Sequence, residues 1–330
     1  MRQLVAYHGN RYLDHFARDV EEIKGHGFTG IVHCATEADL QWGTARVGEI
    51  FAATKDAGLE CWADPWGVGG VFGGEAHSGF LGRRTDALQQ SSDGRLLPNA
   101  CLRHPSFLEF MESWVDAMAT AGAETVFWDE PHVGNPGAGA WACACDVCAD
   151  AMESESIPTE INDDVLDFRC ATALGFLDHV SRYAATQGLK SSVCLYPVGE
   201  ERARLLGLPR IEDVARLPAV DDVSVDPYPV FVVFQGRGYG DFDAERLVGR
   251  WADRLVALSQ ESGVSVHLWI QGFALPKGYE HLVEECARVA RAHGVDDLAF
   301  WSYRAAENTS TIAPDDPAAV WAAAKKAFSR

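Results

Sequence analysis

The feature that most constrains this chain is a repeat. A short apolar run followed by an amphipathic helical segment recurs eight times over 330 residues. The apolar runs predict strands at 3–8, 28–34, 59–63, 124–128, 189–195, 222–225, 264–270 and 297–301. The segments between them predict helices at 12–24, 46–56, 106–121, 164–187, 200–217 (broken by Pro209), 243–261, 279–293 and 317–328. Near-continuous apolar strands need burial on both faces, and parallel strands joined by helices provide it. Eight such units predict an α/β chain folded as a (β/α)8 barrel, a TIM barrel, in a single domain over 1–330. A doubly wound open sheet would carry a glycine-rich dinucleotide turn after its first strand, and His8-Gly9-Asn10-Arg11 is not one. Two connections are unusually long: 67–105 after the third strand and the Cys-rich 131–163 after the fourth. Long loops in compact domains are commonly functional.

The net charge of −20 argues against nucleic acid and anionic membrane as partners, because phosphate would be repelled at every approach. No apolar run reaches the length of a membrane span. Residues 1–7 enter a strand at once, without the apolar core and small-residue cleavage site of a signal peptide. Of nine cysteines, Cys34, Cys61, Cys170, Cys194 and Cys286 stand singly in apolar runs. That is the pattern of reduced, buried thiols, so a cytoplasmic location is expected. A homo-oligomer stays open.

In a barrel, chemistry sits at the carboxyl ends of the strands. Those ends carry His8 and Asn10, His33, Asp64 and Trp66, Asp129, Glu130 and His132, Tyr196, Asp226 and Tyr228, Trp269 and Gln271, and Trp301, Tyr303 and Arg304. Aromatic faces stack on sugar rings, while carboxylates and amides take hydroxyls. A small carbohydrate or glycoside is therefore the expected substrate, with no organic cofactor. Glycoside cleavage needs an acid to protonate the leaving oxygen and a second group to attack or to activate water. Glu130 is the candidate acid, with like-charge repulsion from Asp129 raising its proton affinity. Strand alternation lets only one of this pair face the interior, unless the break at Pro131 brings both to the mouth. Asp226 is the candidate second carboxylate, standing across part of the mouth from Glu130 at a retaining or an inverting spacing.

Cys143, Cys145 and Cys148 form C-x-C-x-x-C. Closely spaced thiols suit a tetrahedral zinc site, and Cys101, in the neighbouring long loop, is the natural fourth ligand. His104 and His132 are substitutes. Four thiolates would leave no open position, so such a zinc is structural.

The stretch from Cys101-Leu102-Arg103-His104-Pro105 through Trp128-Asp129-Glu130 to Cys143-Ala144-Cys145-Asp146-Val147-Cys148 resembles the glycoside hydrolase family 42 β-galactosidases and their relatives. The resemblance implies a structural zinc on Cys101, Cys143, Cys145 and Cys148, and Glu130 as the acid/base. It stops at the seventh strand, where such enzymes place a nucleophilic Glu and this chain has Gln271. Asp129 also stands where an Asn commonly precedes the acid. Either Asp226 replaces the nucleophile, or Asp129-Glu130 is similar to the pair of substrate-assisted hexosaminidases, which need no enzyme nucleophile. Two further expectations differ in class. One is a metal-dependent sugar isomerase or lyase using His8, His33, Asp64, Glu130 and His132. The other is a non-catalytic sugar-binding barrel, which Gln271 would suit.

Overall fold

The computed structural model describes residues 1–8, 11–137, 139–307 and 309–329. Its strands are β1 (Gln3–Tyr7), β2 (Gly30–Cys34), β3 (Glu60–Asp64), β4 (Leu88–Gln90), β5 (Leu96–Ala100), β6 (Thr125–Asp129), β7 (Lys190–Leu195), β8 (Asp222–Val225), β9 (Ser265–Gln271) and β10 (Leu298–Trp301). The α-helices are α1 (Leu13–Gly25), α2 (Thr44–Asp56), α3 (Gly79–Arg83), α4 (Pro105–Ala121), α5 (Asp146–Ser154), α6 (Asp163–Thr186), α7 (Glu200–Leu206), α8 (Ile211–Val214), α9 (Val230–Phe234), α10 (Arg250–Ser262), α11 (His281–Ala292) and α12 (Pro317–Phe328). Eight strands close a barrel in the order β1-β10-β9-β8-β7-β6-β3-β2, and its neighbouring pairs are parallel. The chain is a (β/α)8 TIM barrel, as the repeat requires.

Strand alternation sorts the side chains. Val5, Tyr7, Ile31, Val126, Trp128, Val223 and Val225 belong to the layer between barrel and helices. Leu4, Ala6, Val32, Trp62, Phe127, Trp269 and Ala299 fill the interior. Trp62, Phe127 and Trp269 are almost wholly buried. Rings of this size bury about 150–250 Å² each, roughly 4–6 kcal/mol of apolar transfer. Asp222, also buried, accepts from Ser192 Oγ at 2.7 Å, meets His267 Nδ1 at 2.6 Å and pairs with Arg2. Register sets Cys34 beside Asp64 and Asp129 beside Cys194. The strand ends thus meet at one rim.

The two long connections are more ordered than their composition predicts. The first contains α3 and the antiparallel hairpin of β4 and β5. The second contains α5. The hairpin and the second loop are stitched together. Ser91 bridges Ala142, Ala144 N donates to Gln90 O at 2.7 Å, and Gly134 N donates to Gln89 Oε1 at 2.8 Å. Glu37, just after β2, anchors the first loop by accepting from Gly69 N (3.1 Å), Ser78 Oγ (2.5 Å) and Phe80 N (2.7 Å). No helix among the described residues is long and apolar enough to cross a membrane.

Candidate active site

The barrel mouth holds a cleft of about 260 Å³, lined by Trp66, Asp129, Glu130, Asp226, Tyr228, Trp269, Phe273 and Trp301, with Gly73, Gly74 and Glu75 along one edge. Both members of the Asp129–Glu130 pair reach it. Asp129 ends β6 pointing inward with Phe127. Glu130 would point outward in a continuing strand, but its backbone is left-handed, with φ at +46°. That conformation costs a non-glycine residue roughly 1–3 kcal/mol, held by its surroundings. Glu130 N donates to Cys194 O at 3.2 Å. On the opposite edge Gly73 N donates to Asp129 O at 3.0 Å. A Cβ on Gly73 would lie 2.2 Å from Asp129 Oδ2, so only glycine lets the loop lie against this carboxylate.

Glu75, Asp129, Glu130 and Asp226 line the cleft with Asp64 beside Asp129, and among the described residues no Lys or Arg lines it. Burial pushes Glu130 up to about 7, while hydrogen bonds with Asp226 and Tyr196 pull it back down. Burial also raises Asp129, reinforced by the charges of Asp64 and Glu130. Asp226 is raised by burial and by Glu130 beside it. Asp64, fully buried, is raised by burial against one opposing bond from the Cys34 thiol. Removing solvent from a carboxylate without supplying a cation disfavours its charged form. Burial and mutual repulsion thus disfavour the charged forms of these carboxyl groups together. Trp66 Nε1 and Trp269 Nε1 are buried donors without a protein partner, the usual mark of a site that receives a ligand or water.

Among the other candidate residues, His8 stacks between Trp66 (5.1 Å) and Trp301 (6.0 Å), and its Nε2 meets Ser302 Oγ at 2.9 Å. Burial lowers its pKa to about 4, so the ring is neutral. Asp64 lies beneath the cleft beside Asp129. Tyr196 touches Glu130 from outside the cleft wall, and His132 meets the Glu130 carbonyl at 2.9 Å. Both open onto a second, larger groove. Asn10 lies outside the described residues.

Four expected substrate ligands are placed elsewhere. His33 sits on an outward position of β2, bonds Thr54 Oγ1 at 2.9 Å and packs on Phe16 and Phe51. Tyr303 and Arg304 turn back over the helices: the Tyr303 hydroxyl donates to Asp19 and Glu22, and Arg304 pairs with Glu22. Gln271 points inward but is committed to the fold. Its Oε1 accepts from Val230 N (2.8 Å), and its Nε2 donates to Phe273 O (2.7 Å) and Tyr239 Oη (3.1 Å). Glu130 and Asp226 both line the cleft, and each acts on the other's proton affinity.

Sequence reading missed Gly73, Gly74, Glu75 and Phe273 on the cleft, and Glu37 behind it. The Gly-Gly-Val-Phe-Gly-Gly-Glu run was itself a signal, since paired glycines mark close backbone approach. Asp93-Gly94 likewise marked the hairpin turn.

Cys101, Cys143, Cys145 and Cys148 are all buried, with their sulfurs within 4.8 Å of one another. Cys101 Sγ lies 3.6 Å from Cys148 Sγ and 3.5 Å from Cys145 Sγ. A tetrahedral ion with Zn–S bonds of about 2.3 Å sets its sulfurs about 3.8 Å apart, so the group could hold a metal ion. Among the described residues no second set of His, Cys, Asp and Glu ligand atoms gathers in this way. The set expected for a metal-dependent isomerase is thus dispersed, with His33 behind the barrel wall and His132 in the other groove.

No protein-family model matches the chain, and no curated protein matches it in sequence. Solved structures do match in shape. The endo-1,4-beta-mannanase from Rhizomucor miehei superposes with a TM-score of 0.65 at 10% identity, over 99% of this chain and 94% of that one. The PgaB (BpsB) glycoside hydrolase domain from Bordetella bronchiseptica gives 0.60 at 13% identity, over 91% and 94%. GH5_18 from Streptomyces cattleya, in complex with GlcNAc, gives 0.62 at 13% identity, over 100% and 80%. At such identities the likeness establishes the fold, a barrel shared with glycoside hydrolases.

Proposed function

We propose that this chain hydrolyses glycosidic bonds with Glu130 as general acid. One observation carries the reading: a carboxyl group with its pKa pushed up to about 7 lines a cleft walled by Trp66, Trp269, Trp301 and Tyr228. A general acid works best when its pKa lies near the working pH. The aromatic walls suit the face of a pyranose, and Asp129 and Asp226 suit its hydroxyls. The three barrels above, a mannanase, a glycoside hydrolase domain and a GlcNAc complex by their names, are consistent with this chemistry.

The absence of a carboxylate from the β9 end favours a particular version. A retaining displacement needs an enzyme carboxylate as nucleophile, and β9 sends Trp269 but no carboxylate into the cleft. The attacking group would then be the substrate's own 2-acetamido oxygen, oriented by Asp129, while Glu130 protonates the leaving oxygen. Asp226 tunes the proton affinity of Glu130. Matched 2-hydroxy and 2-acetamido glycosides of several sugars test both parts. Glu130→Gln should cut turnover on natural glycosides at least about a hundredfold. Asp129→Asn should cripple 2-acetamido substrates selectively. Equal turnover by Glu130→Gln and the native protein would refute the acid, and Asp129→Asn with native turnover on 2-acetamido substrates would refute the substrate-assisted version.

The cysteine group is assigned to zinc, held by Cys101, Cys143, Cys145 and Cys148. Four thiolates leave no site for substrate, so the ion would supply structure: it ties the β4–β5 hairpin to the loop after Glu130.

A further inference from the structure

Beside the sugar-sized cleft lies a groove of about 640 Å³ that the reading above leaves unused. Val198, Leu206 and Leu208 line it near α7, and Phe231 and Phe234 line it from α9. Helix α9 is five apolar residues in a row, Val-Phe-Val-Val-Phe, yet Phe234 is 75% exposed and Val233 40%. The Phe231 and Phe234 rings meet edge to face at 5.8 Å. Val230 and Val232 are buried and Phe231 packs against the core, whereas Phe234 stands out on the groove. The two cavities adjoin at the candidate acid. Glu130 lines the smaller, and Tyr196, beside Glu130, lines the larger.

A general acid protonates the leaving oxygen, so the leaving group must pass the acid while the sugar stays on the other side. We propose that this groove is the aglycone site and that it takes an apolar aglycone, alkyl or aryl. The assignment rests on the reading of Glu130 as the acid. In the step, Glu130 gives its proton to the aglycone oxygen as the C1–O bond breaks and its electron pair stays on that oxygen. Water then supplies the hydroxyl at C1, and its other proton restores Glu130. A second sugar is held best by carboxylates, which accept from its hydroxyls, as Asp129 and Asp226 would in the smaller cleft. Among the described residues no Asp or Glu lines the groove; its polar side is Asn99, His132, Asn135, Tyr196, Arg202 and Gln235, and the Asn99 amide already donates to the Gly70 carbonyl. The groove's apolar side, Val198, Leu206, Leu208, Phe231 and Phe234, is what would take the aglycone.

The test starts from a panel of 4-nitrophenyl glycosides of common sugars. The sugar turned over is then compared as its methyl, octyl and glucosyl glycosides. The octyl form should exceed the methyl form in kcat/KM at least about tenfold, mostly through KM, since a few buried methylenes suffice for that ratio. Phe234→Ser should lower the octyl-to-methyl ratio at least about threefold. Binding of the two glycosides to Glu130→Gln, read by calorimetry without turnover, should show the same preference. Equal use of octyl and methyl forms, a preference for the glucosyl form, or an unchanged ratio in Phe234→Ser would overturn the aglycone site and leave hydrolysis standing. No turnover across the panel would overturn hydrolysis and the aglycone site with it.

Discussion

Replacing Tyr196 by Phe isolates one contribution to the proton affinity of Glu130. The Tyr196 hydroxyl beside Glu130 lowers its pKa, against the burial that raises it to about 7. A hydrogen bond to a charged group contributes about 1.5–3 kcal/mol, and one pKa unit corresponds to about 1.4 kcal/mol. Phenylalanine keeps the ring and removes the donor. The carboxylate loses stabilisation, the proton is held more tightly, and the pKa rises by about one to two units. Glu130 acts as an acid while protonated, so activity falls as pH rises through its pKa. In Tyr196→Phe the alkaline limb of kcat/KM should therefore move from about 7 to about 8–9. The assay is a pH profile on an unactivated glycoside, with Glu130→Gln as the control that lacks the limb. A limb that stays near neutrality or moves to lower pH would refute the reasoning, because the hydroxyl would then not be stabilising the ionised acid.

Other expectations follow from single contacts. Cys145→Ser should lose the bound ion and much of the folded yield, with about one zinc per chain in the native protein by elemental analysis; metal-free native protein would refute the site. Gly73→Ala places a methyl group 2.2 Å from Asp129 Oδ2; the displaced loop should cost about 1–3 kcal/mol in denaturant unfolding and lower turnover. Gln271→Glu should not create a nucleophile. It sets a carboxylate oxygen against the Phe273 carbonyl in place of a donor at 2.7 Å, and a loss of about 1–3 kcal/mol is expected; native stability with gained activity would contradict this.

The barrel was legible because both faces of each strand are buried, which leaves long apolar runs that a single sequence displays. The Asp129–Glu130 pair was legible as chemistry at a strand end, and the four cysteines as a ligand set. What was not legible depends on backbone and tertiary context. That Glu130 joins Asp129 at the cleft follows from one left-handed residue, which no periodicity encodes. Gln271, Tyr303 and Arg304 occupy strand-end positions in the chain, but their hydrogen bonds go to α9, α1 and neighbouring loops. His33 falls on the outward phase of β2, and the alternation Gly30, Val32, Cys34 against Ile31, His33 marked that phase. Helix α9 looks like a strand fragment by composition; it lies where it does because Val230 N is held by Gln271.

The central claim is that Glu130 delivers a proton to a glycosidic oxygen, and leaving-group dependence tests it most directly. The measurement is kcat/KM for one sugar carrying leaving groups that span alkyl alcohols to activated phenols, in the native protein and in Glu130→Ala. With Glu130 as acid, the native plot is nearly flat and the variant plot is steep. The variant should lose at least about a hundredfold on the alkyl glycoside and little on the most activated phenol. Parallel plots, with the same loss at every leaving group, would contradict the account and reduce Glu130 to a residue that only binds.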